Sequence, residues 1–256
     1  MERITSKNND IVKDTKRLIS SSKARSQNHA FVLEGARLCF DVLNSVYKVK
    51  TLFLTDKLLE KYESEVEELA KKSDKTYLIS DEVANKLTQT ENPQGIFAVC
   101  YMPENDMSIS GKKLIALDNV QDPANVGAII RTAEALGVDG IIAYNCCDIY
   151  NSKVLRASMG SVLREKIYTS ANLEETLKAL GGEYKIYSTV PDREAEKITD
   201  IDFSAPSICV IGNEANGVEE KIKALSDKMI TIPMLGNAES LNASVAASIV
   251  MWEMLR

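Results

Sequence analysis

The sequence predicts an α/β fold: a mostly parallel sheet covered by helices, preceded by a smaller α/β domain. Three observations carry that reading. Short, almost continuous apolar runs recur from residue 30 onward, as in Gly95-Ile-Phe-Ala-Val-Cys-Tyr101 and Ser207-Ile-Cys-Val-Ile211, and strands buried on both faces read this way. Helical segments separate the runs, which is the alternation of βα units. Met102-Pro-Glu-Asn-Asp-Met-Ser-Ile-Ser-Gly-Lys112 then interrupts the rhythm with turn residues and acids and reads as a linker. The expected division is residues 1–107 and 108–256.

Taken in order, residues 5–20 suit a basic helix with Ile11, Leu18 and Ile19 as its apolar positions, and Ser20 to His29 is polar and basic without a strong period. A strand at Ala30–Leu33 leads to a helix from Gly35 carrying Leu38, Val42 and Leu43. Next come a strand at Val49–Leu54, one charged helix over Lys57–Lys72, a strand at Thr76–Ile79, a capped helix at Asp81–Leu87 and the closing strand Gly95–Tyr101. The second half reads as strands at Leu114–Leu117, Gly140–Ala143, Glu165–Tyr168, Tyr184–Thr189, Ser207–Ile211 and Met229–Ile232. Helices fall near 125–136, 151–162, 172–180, 216–225 and 239–255.

The terminal helix is unusual for a chain end. Leu241, Val245, Ile249, Trp252 and Leu255 make one apolar stripe, and Ala243, Ala246, Ala247, Val250 and Met254 most of a second face. A helix apolar nearly all round is expected to be buried on more than one side.

Composition is that of a folded domain, 45% hydrophobic against 27% charged, with a net charge of −6. The charge is uneven: residues 1–57 carry 11 Lys/Arg against 6 Asp/Glu, and residues 58–106 carry 5 against 11. A basic start can contact phosphates, with Lys13, Lys16, Arg17, Lys23, Arg25 and Arg37 as candidates. The five cysteines form no CxxC pair and there is one His, so no metal site is expected. No run approaches membrane-spanning length and the start has no apolar signal region, so the chain is expected to be soluble and cytoplasmic.

In parallel sheets, ligands bind at the carboxyl ends of strands, which directs attention to the loops after Leu117, Thr189, Ile211 and Ile232. The first is Asp118-Asn-Val-Gln-Asp-Pro-Ala-Asn-Val-Gly-Ala-Ile-Ile-Arg-Thr-Ala133. Asp122 or Asn125 can cap the helix that follows, and Arg131 lies nearly two turns past Asn125, so both are expected on one side. The loop lacks G-x-G-x-x-G, which counts against a dinucleotide site. After Ile211, Gly212-Asn-Glu-Ala-Asn-Gly217 sets a carboxylate and two amides in a tight turn. After Ile232, Pro233-Met-Leu-Gly-Asn runs on to Ser240-Leu-Asn242.

Together these segments resemble the three motifs of the SpoU/TrmH branch of the SPOUT RNA methyltransferases. They stand here as Asn125-x-Gly127-x-x-x-Arg131-Thr132-Ala133, Gly212-Asn213-Glu214-x-x-Gly217, and Ile232-Pro233-Met234 with Ser240-Leu241-Asn242-x-Ser244-x-Ala246. Arg156-Ala-Ser-x-Gly160 looks like the same family, and the match covers about 150 residues. Phe31-Val-Leu-Glu-Gly35 and Asn92-Pro-Gln-Gly95 look like the L30e-like substrate-binding domain that many of these enzymes carry.

The resemblance implies a C-terminal segment threaded into a trefoil knot, an exception to the rule of unknotted chains. It also implies S-adenosyl-L-methionine bound by the knot loops, a homodimer, and methylation of a ribose 2′-hydroxyl in RNA. Ribosomal RNA is favoured; transfer RNA or a non-catalytic RNA-binding module of the same fold are the alternatives. The implied cofactor-binding residues are Thr189, Gly212, Asn213, Gly217, Ile232, Met234 and Leu241. The implied catalytic set is Arg131, Asn125, Glu214, Ser240 and Asn242. Arginine normally stays protonated, so Arg131 is expected first as a clamp on the neighbouring phosphate and ribose.

Overall fold

The computed structural model describes all 256 residues and divides into two compact units. One comprises Met1–Glu104 with Tyr150–Arg156; the other comprises Asn105–Ile149 with Ala157–Arg256.

The first unit runs β1 (Glu2–Ile4), α1 (Asp10–Ser20), α2 (Ser22–Asn28), β2 (Ala30–Glu34), α3 (Ala36–Asp41), β3 (Val49–Leu54), α4 (Asp56–Lys61), α5 (Glu63–Lys71), β4 (Ser73–Ile79), α6 (Asp81–Leu87) and β5 (Ile96–Tyr101). Its sheet has the order β1-β4-β3-β5-β2. β1, β4 and β3 are parallel, and β5 runs antiparallel to β3 and β2. Val12, Thr15, Leu18 and Ile19 of α1 are buried, the i, i+3, i+6, i+7 stripe of a helix lying on a sheet.

Three expectations need correction here. The Lys57–Lys72 segment is two helices, because Tyr62 leaves the helical region at φ −134 and ψ 46. Its ring meets Phe40 with centroids 5.4 Å apart, which ties the break to neighbouring packing. The aperiodic stretch after Ser20 folds as α2, capped by the Ser21 side chain at Ala24 N. Arg25, expected on phosphate, is instead buried, and its guanidinium donates to Leu18 O at 2.6 Å and Ile19 O at 3.1 Å. It therefore satisfies carbonyls at the end of α1 that lack helical partners.

The family-like segments of this unit form one joint. Gln94 Oε1 accepts from Ala36 N at 2.7 Å and so caps α3, whose own cap residue, Gly35, offers no side chain. Gly95 takes φ +76, and a Cβ there would stand 2.2 Å from Thr55 Oγ1.

The second unit continues with β6 (Lys113–Asp118), α7 (Pro123–Leu136), β7 (Gly140–Tyr144), α8 (Ser152–Ala157), β8 (Ile167–Ser170), α9 (Leu173–Leu180), β9 (Lys185–Thr189), β10 (Glu196–Lys197), β11 (Ser207–Ile211), α10 (Glu220–Lys223), β12 (Lys228–Thr231) and α11 (Ala243–Leu255). The Ser152–Arg156 part of α8 belongs to the first unit. The seven strands are parallel in the order β10-β12-β9-β11-β6-β7-β8.

That order locates the site. From β6 the chain builds outward through β7 and β8, and later strands add on the other side, with β11 against β6. The carboxyl ends of β6 and β11 thus flank the place where the direction of winding reverses, which is where open parallel sheets leave a crevice. Their register, Ser207 opposite Lys113 through Ile211 opposite Leu117, brings both loops out at the same level.

α11 packs on α7, β11 and β6. Its inward face is Ala243, Ala247, Val250, Met251 and Met254. The larger apolar stripe is the outward one: Val245 is 47% and Trp252 60% exposed. The expected 151–162 helix stops at Ala157, since Met159 (φ 52) and Gly160 (φ 90) turn the chain into the left-handed region.

Candidate active site

The loop after β6 enters α7 through Asp122, whose carboxylate accepts from Ala124 N at 2.9 Å, followed by Pro123 in the first helical turn. Asp122, not Asn125, is the cap. Asn125 sits one turn in and is buried, so its amide has to find protein partners. It finds both at long range. Its Nδ2 donates to Glu214 Oε1 at 2.9 Å, and its Oδ1 accepts from Asn242 Nδ2 at 2.9 Å.

Those two bonds join the loops after β6, β11 and β12 through one side chain. Glu214 extends the junction, accepting from Asp122 N at 3.1 Å and Gln121 N at 3.2 Å. It serves the mouth of α7 rather than the helix following its own turn, and a carboxylate at a helix N-terminus is favoured by the helix dipole. Burial pushes the Glu214 carboxyl up, but the donors from Asn125, Asp122 and Gln121 outweigh it, leaving it below the usual carboxylate range. Asn242 uses its Oδ1 to accept from Ser244 N at 2.9 Å and Val245 N at 3.4 Å, so it caps α11 while its amide reaches Asn125.

The Gly212–Gly217 turn closes on itself, with Asn213 N to Gly217 O at 3.0 Å and Gly217 N to Asn213 O at 2.9 Å. Gly212 has to be glycine, because a Cβ there would meet Gly217 C and Val218 N at 2.2 Å. Asn213 Nδ2 donates to Asn119 O at 2.8 Å, a second tie to the loop after β6. Thr189 Oγ1 donates to Val210 O at 2.8 Å, binding the end of β9 to β11. Ile232, Met234 and Leu241 are half-buried, leaving apolar surface on the segment between β12 and α11.

Two expected participants stand apart. Arg131 is exposed and forms no hydrogen bond or ion pair within the chain. Six residues along a helix is a rotation of about 240°, so Arg131 leaves α7 in a different direction from Asn125, and the one-side expectation does not hold. Ser240 is exposed and bonds to none of the junction residues.

The sequence reading assigned no role to Asp118 or Asn119. Asp118 is fully buried at the end of β6; its Oδ2 accepts from Glu219 N at 2.7 Å and its Oδ1 has no protein partner. Burial raises its carboxyl above the ordinary value, against the pull of the Glu219 N–H. Asn119 takes φ +60, and its Oδ1 accepts from Gln121 at 2.7 Å and Asn145 at 3.0 Å. The available signal was a carboxylate ending an otherwise apolar strand, followed by Asn, which tolerates that φ. Nearby Cys146 and Cys147 are no thiolate nucleophiles, since burial pushes them up to about 11 and about 12.

Comparison with known proteins gives the same three loops a context. The SpoU rRNA Methylase family matches residues 112–252, and the MRM3-like substrate binding domain matches residues 9–98. The 23S rRNA (guanosine(2553)-2'-O)-methyltransferase RlmP of Bacillus subtilis (strain 168) is 33% identical over 99% of this chain and 99% of its own length. An AdoMet-bound rRNA methyltransferase from Sinorhizobium meliloti superposes with a TM-score of 0.87 at 28% identity, covering 99% of this chain and 97% of that one. The SpoU methyltransferase AviRb from Streptomyces viridochromogenes, in complex with AdoMet, gives 0.86 at 25% identity and covers 97% of each chain.

Proposed function

We propose that this chain, which belongs to the SpoU rRNA methylase family, transfers a methyl group from S-adenosylmethionine to a ribose 2′-hydroxyl of ribosomal RNA. The observation that carries the proposal is the Glu214–Asn125–Asn242 junction, which holds all three family motifs at one end of the sheet.

The residues present fit the cofactor. The Gly212–Gly217 turn admits no side chain at its entrance, and the half-buried Ile232, Met234 and Leu241 give an apolar bed for a purine. Backbone groups of this turn and of the segment from Ile232 to Leu241 would hold the adenine edge, with Thr189 and Asn213 keeping the loops in place. When bound, S-adenosylmethionine supplies an electrophilic methyl group. The protein supplies alignment, which governs an in-line transfer.

Arg131 has no partner of its own and is therefore available to a phosphate and ribose, which a guanidinium grips bidentately. In this reading Asn125, Glu214 and Asn242 are positioning residues that fix the start of α7 and of α11, while Ser240 lines the approach. The knot is part of the same proposal. After β12, out toward one edge of the sheet, the chain returns to lay α11 on α7, β6 and β11, a path that supports threading past the strand-end loops. We assign the outward face of α11, with Val245 and Trp252, to the pairing of two copies, and the site of action to the cytoplasm.

The test is transfer of labelled methyl from S-adenosylmethionine to ribosomal and transfer RNA, with the modified nucleotide mapped by its resistance to alkaline cleavage. Transfer to ribosomal RNA is expected. Transfer confined to transfer RNA would move the substrate, and no cofactor binding by calorimetry would sink the enzyme reading. Arg131→Ala should abolish transfer and keep cofactor affinity within about twofold, with thermal stability unchanged within about 0.5 kcal/mol. Unchanged turnover would remove Arg131 from the reaction.

A further inference from the structure

We propose that a cleft in the first unit, between the α1–α2 pair and the β3–β4–β5 surface, docks an unpaired stretch of the RNA; this rests on the RNA reading above. The cleft holds about 700 Å³, and Thr51, Tyr77 and Tyr101 contribute to its sheet side. Strand alternation puts Lys75 with Tyr77, and Val99 with Tyr101, on the same face. At the matching point of β3 the register shifts between Val49 and Thr51. Lys50 therefore sits in an irregularity of the kind that re-aims a side chain, and its ammonium stands 5.8 Å from the centroid of the Tyr101 ring.

The charge of this cleft is not that of the molecule. Its two acids are engaged: Asp14 lies 3.8 Å from Arg17, and Asp74 accepts from the Tyr101 hydroxyl at 2.7 Å. Lys23, Lys50 and Lys75 line the same cleft, are exposed, and have no hydrogen bond or ion pair within the chain. Three ammonium groups without a carboxylate partner, lining one cleft with a tyrosine that is 38% exposed on a chain of net charge −6, form a local cationic site. Lysines that meet phosphates beside an aromatic ring able to stack a base are the combination that holds unpaired nucleic acid. A hollow of about 700 Å³ has room for a nucleotide.

Of the basic residues expected from sequence to meet phosphates, Lys23 and Arg17 line this cleft, whereas others are engaged within the chain. Lys13 is paired with Asp10 at 3.0 Å, and Lys16 reaches Leu87 O and Thr88 O at the end of α6. Lys50, Lys75 and Tyr101 come from strands far apart in the chain and meet only in the folded unit.

The experiment uses the full chain, a labelled oligouridylate and 23S ribosomal RNA fragments, with anisotropy read across a salt series. The triple variant Lys23→Ala/Lys50→Ala/Lys75→Ala should bind oligouridylate at least tenfold more weakly, and the slope of log K against log salt should fall by about 2. Tyr101→Ala should weaken binding several-fold at unchanged slope, and Tyr101→Phe should restore it. Cofactor affinity by calorimetry should stay at the parent value in every variant, which reports an intact second unit. A triple variant with parent affinity and slope, or a parent that binds ribosomal RNA but not oligouridylate, overturns the docking site alone. A parent that neither binds nor methylates RNA overturns the functional reading with it.

Discussion

Asn125 is the side chain on which the site turns, because it is the only residue bonded to both other motif loops. Asn125→Ala removes two hydrogen bonds, one from Asn242 Nδ2 and one to Glu214 Oε1, which keeps its bond from Asp122 N. A hydrogen bond contributes about 0.5–1.5 kcal/mol net, so with two lost chemical denaturation should show a loss of about 1–3 kcal/mol together with weakened cofactor binding. Unaltered stability would mean that water replaces the amide. The residue types here were legible from sequence, whereas their partners were not. Asn125 and Glu214 meet across 89 positions, and one chain read linearly carries no record of that pairing. A second prediction concerns Glu165, whose carboxyl burial pushes up to about 7, with the negative charges of Glu134 and Asp139 adding to it. The unfolded chain ionises it near about 4.3. Its stability contribution is therefore fully present below that value, declines as pH rises toward 7, and stays lost above. Glu165→Gln should match the parent at pH 4 and exceed it by about 1–3 kcal/mol at pH 8, as read from melting curves across pH. Equal pH dependence of the two proteins would refute the assignment.

At the scale of elements, the Gly212–Gly217 turn gives the sharpest expectation. Gly212→Ala puts a methyl into the backbone at Gly217 and Val218, and neither backbone group can yield as a flexible side chain would. The turn should open, Asn213 should lose Asn119, and cofactor affinity should fall at least tenfold by calorimetry. A variant that binds as the parent does would show the turn to be dispensable. Strands such as Ser207–Ile211 were legible because burial on both faces writes a continuous apolar run. β1 and β10 were not, since strands of three and two residues are too short to show a period. The Tyr62 break was hidden for a different reason: residues 57–72 have uninterrupted helical composition, and it takes the contact with Phe40 to accompany the break. The same limit applied to Arg131. Its motif spacing was visible, but direction around a helix depends on rotation as well as distance, and the rotation separates it from Asn125.

For the whole molecule the open question is what covers α11. The sequence expected a helix buried on two sides, and one chain buries only the face carrying Ala243, Ala247, Val250, Met251 and Met254. An exposed row of Val245 and Trp252 on a rigid helix is more apolar surface than single scattered side chains would explain. The proposed pairing of two copies can be read directly, because Trp252 is the only tryptophan in the chain. Covered by a partner, its emission should lie toward the blue and resist quenching by acrylamide. Dilution below the dissociation constant should shift it red and expose it to quencher, in step with a fall in sedimentation coefficient to that of the 28.3 kDa chain. Val245→Glu sets a charge into the outward face of α11. It should give the red, quenchable, monomeric signal at every concentration while the fold persists by circular dichroism. If methyl transfer disappears in the same variant, the paired state is the working enzyme. A parent with red, fully quenchable emission at high concentration would leave that face to some other partner.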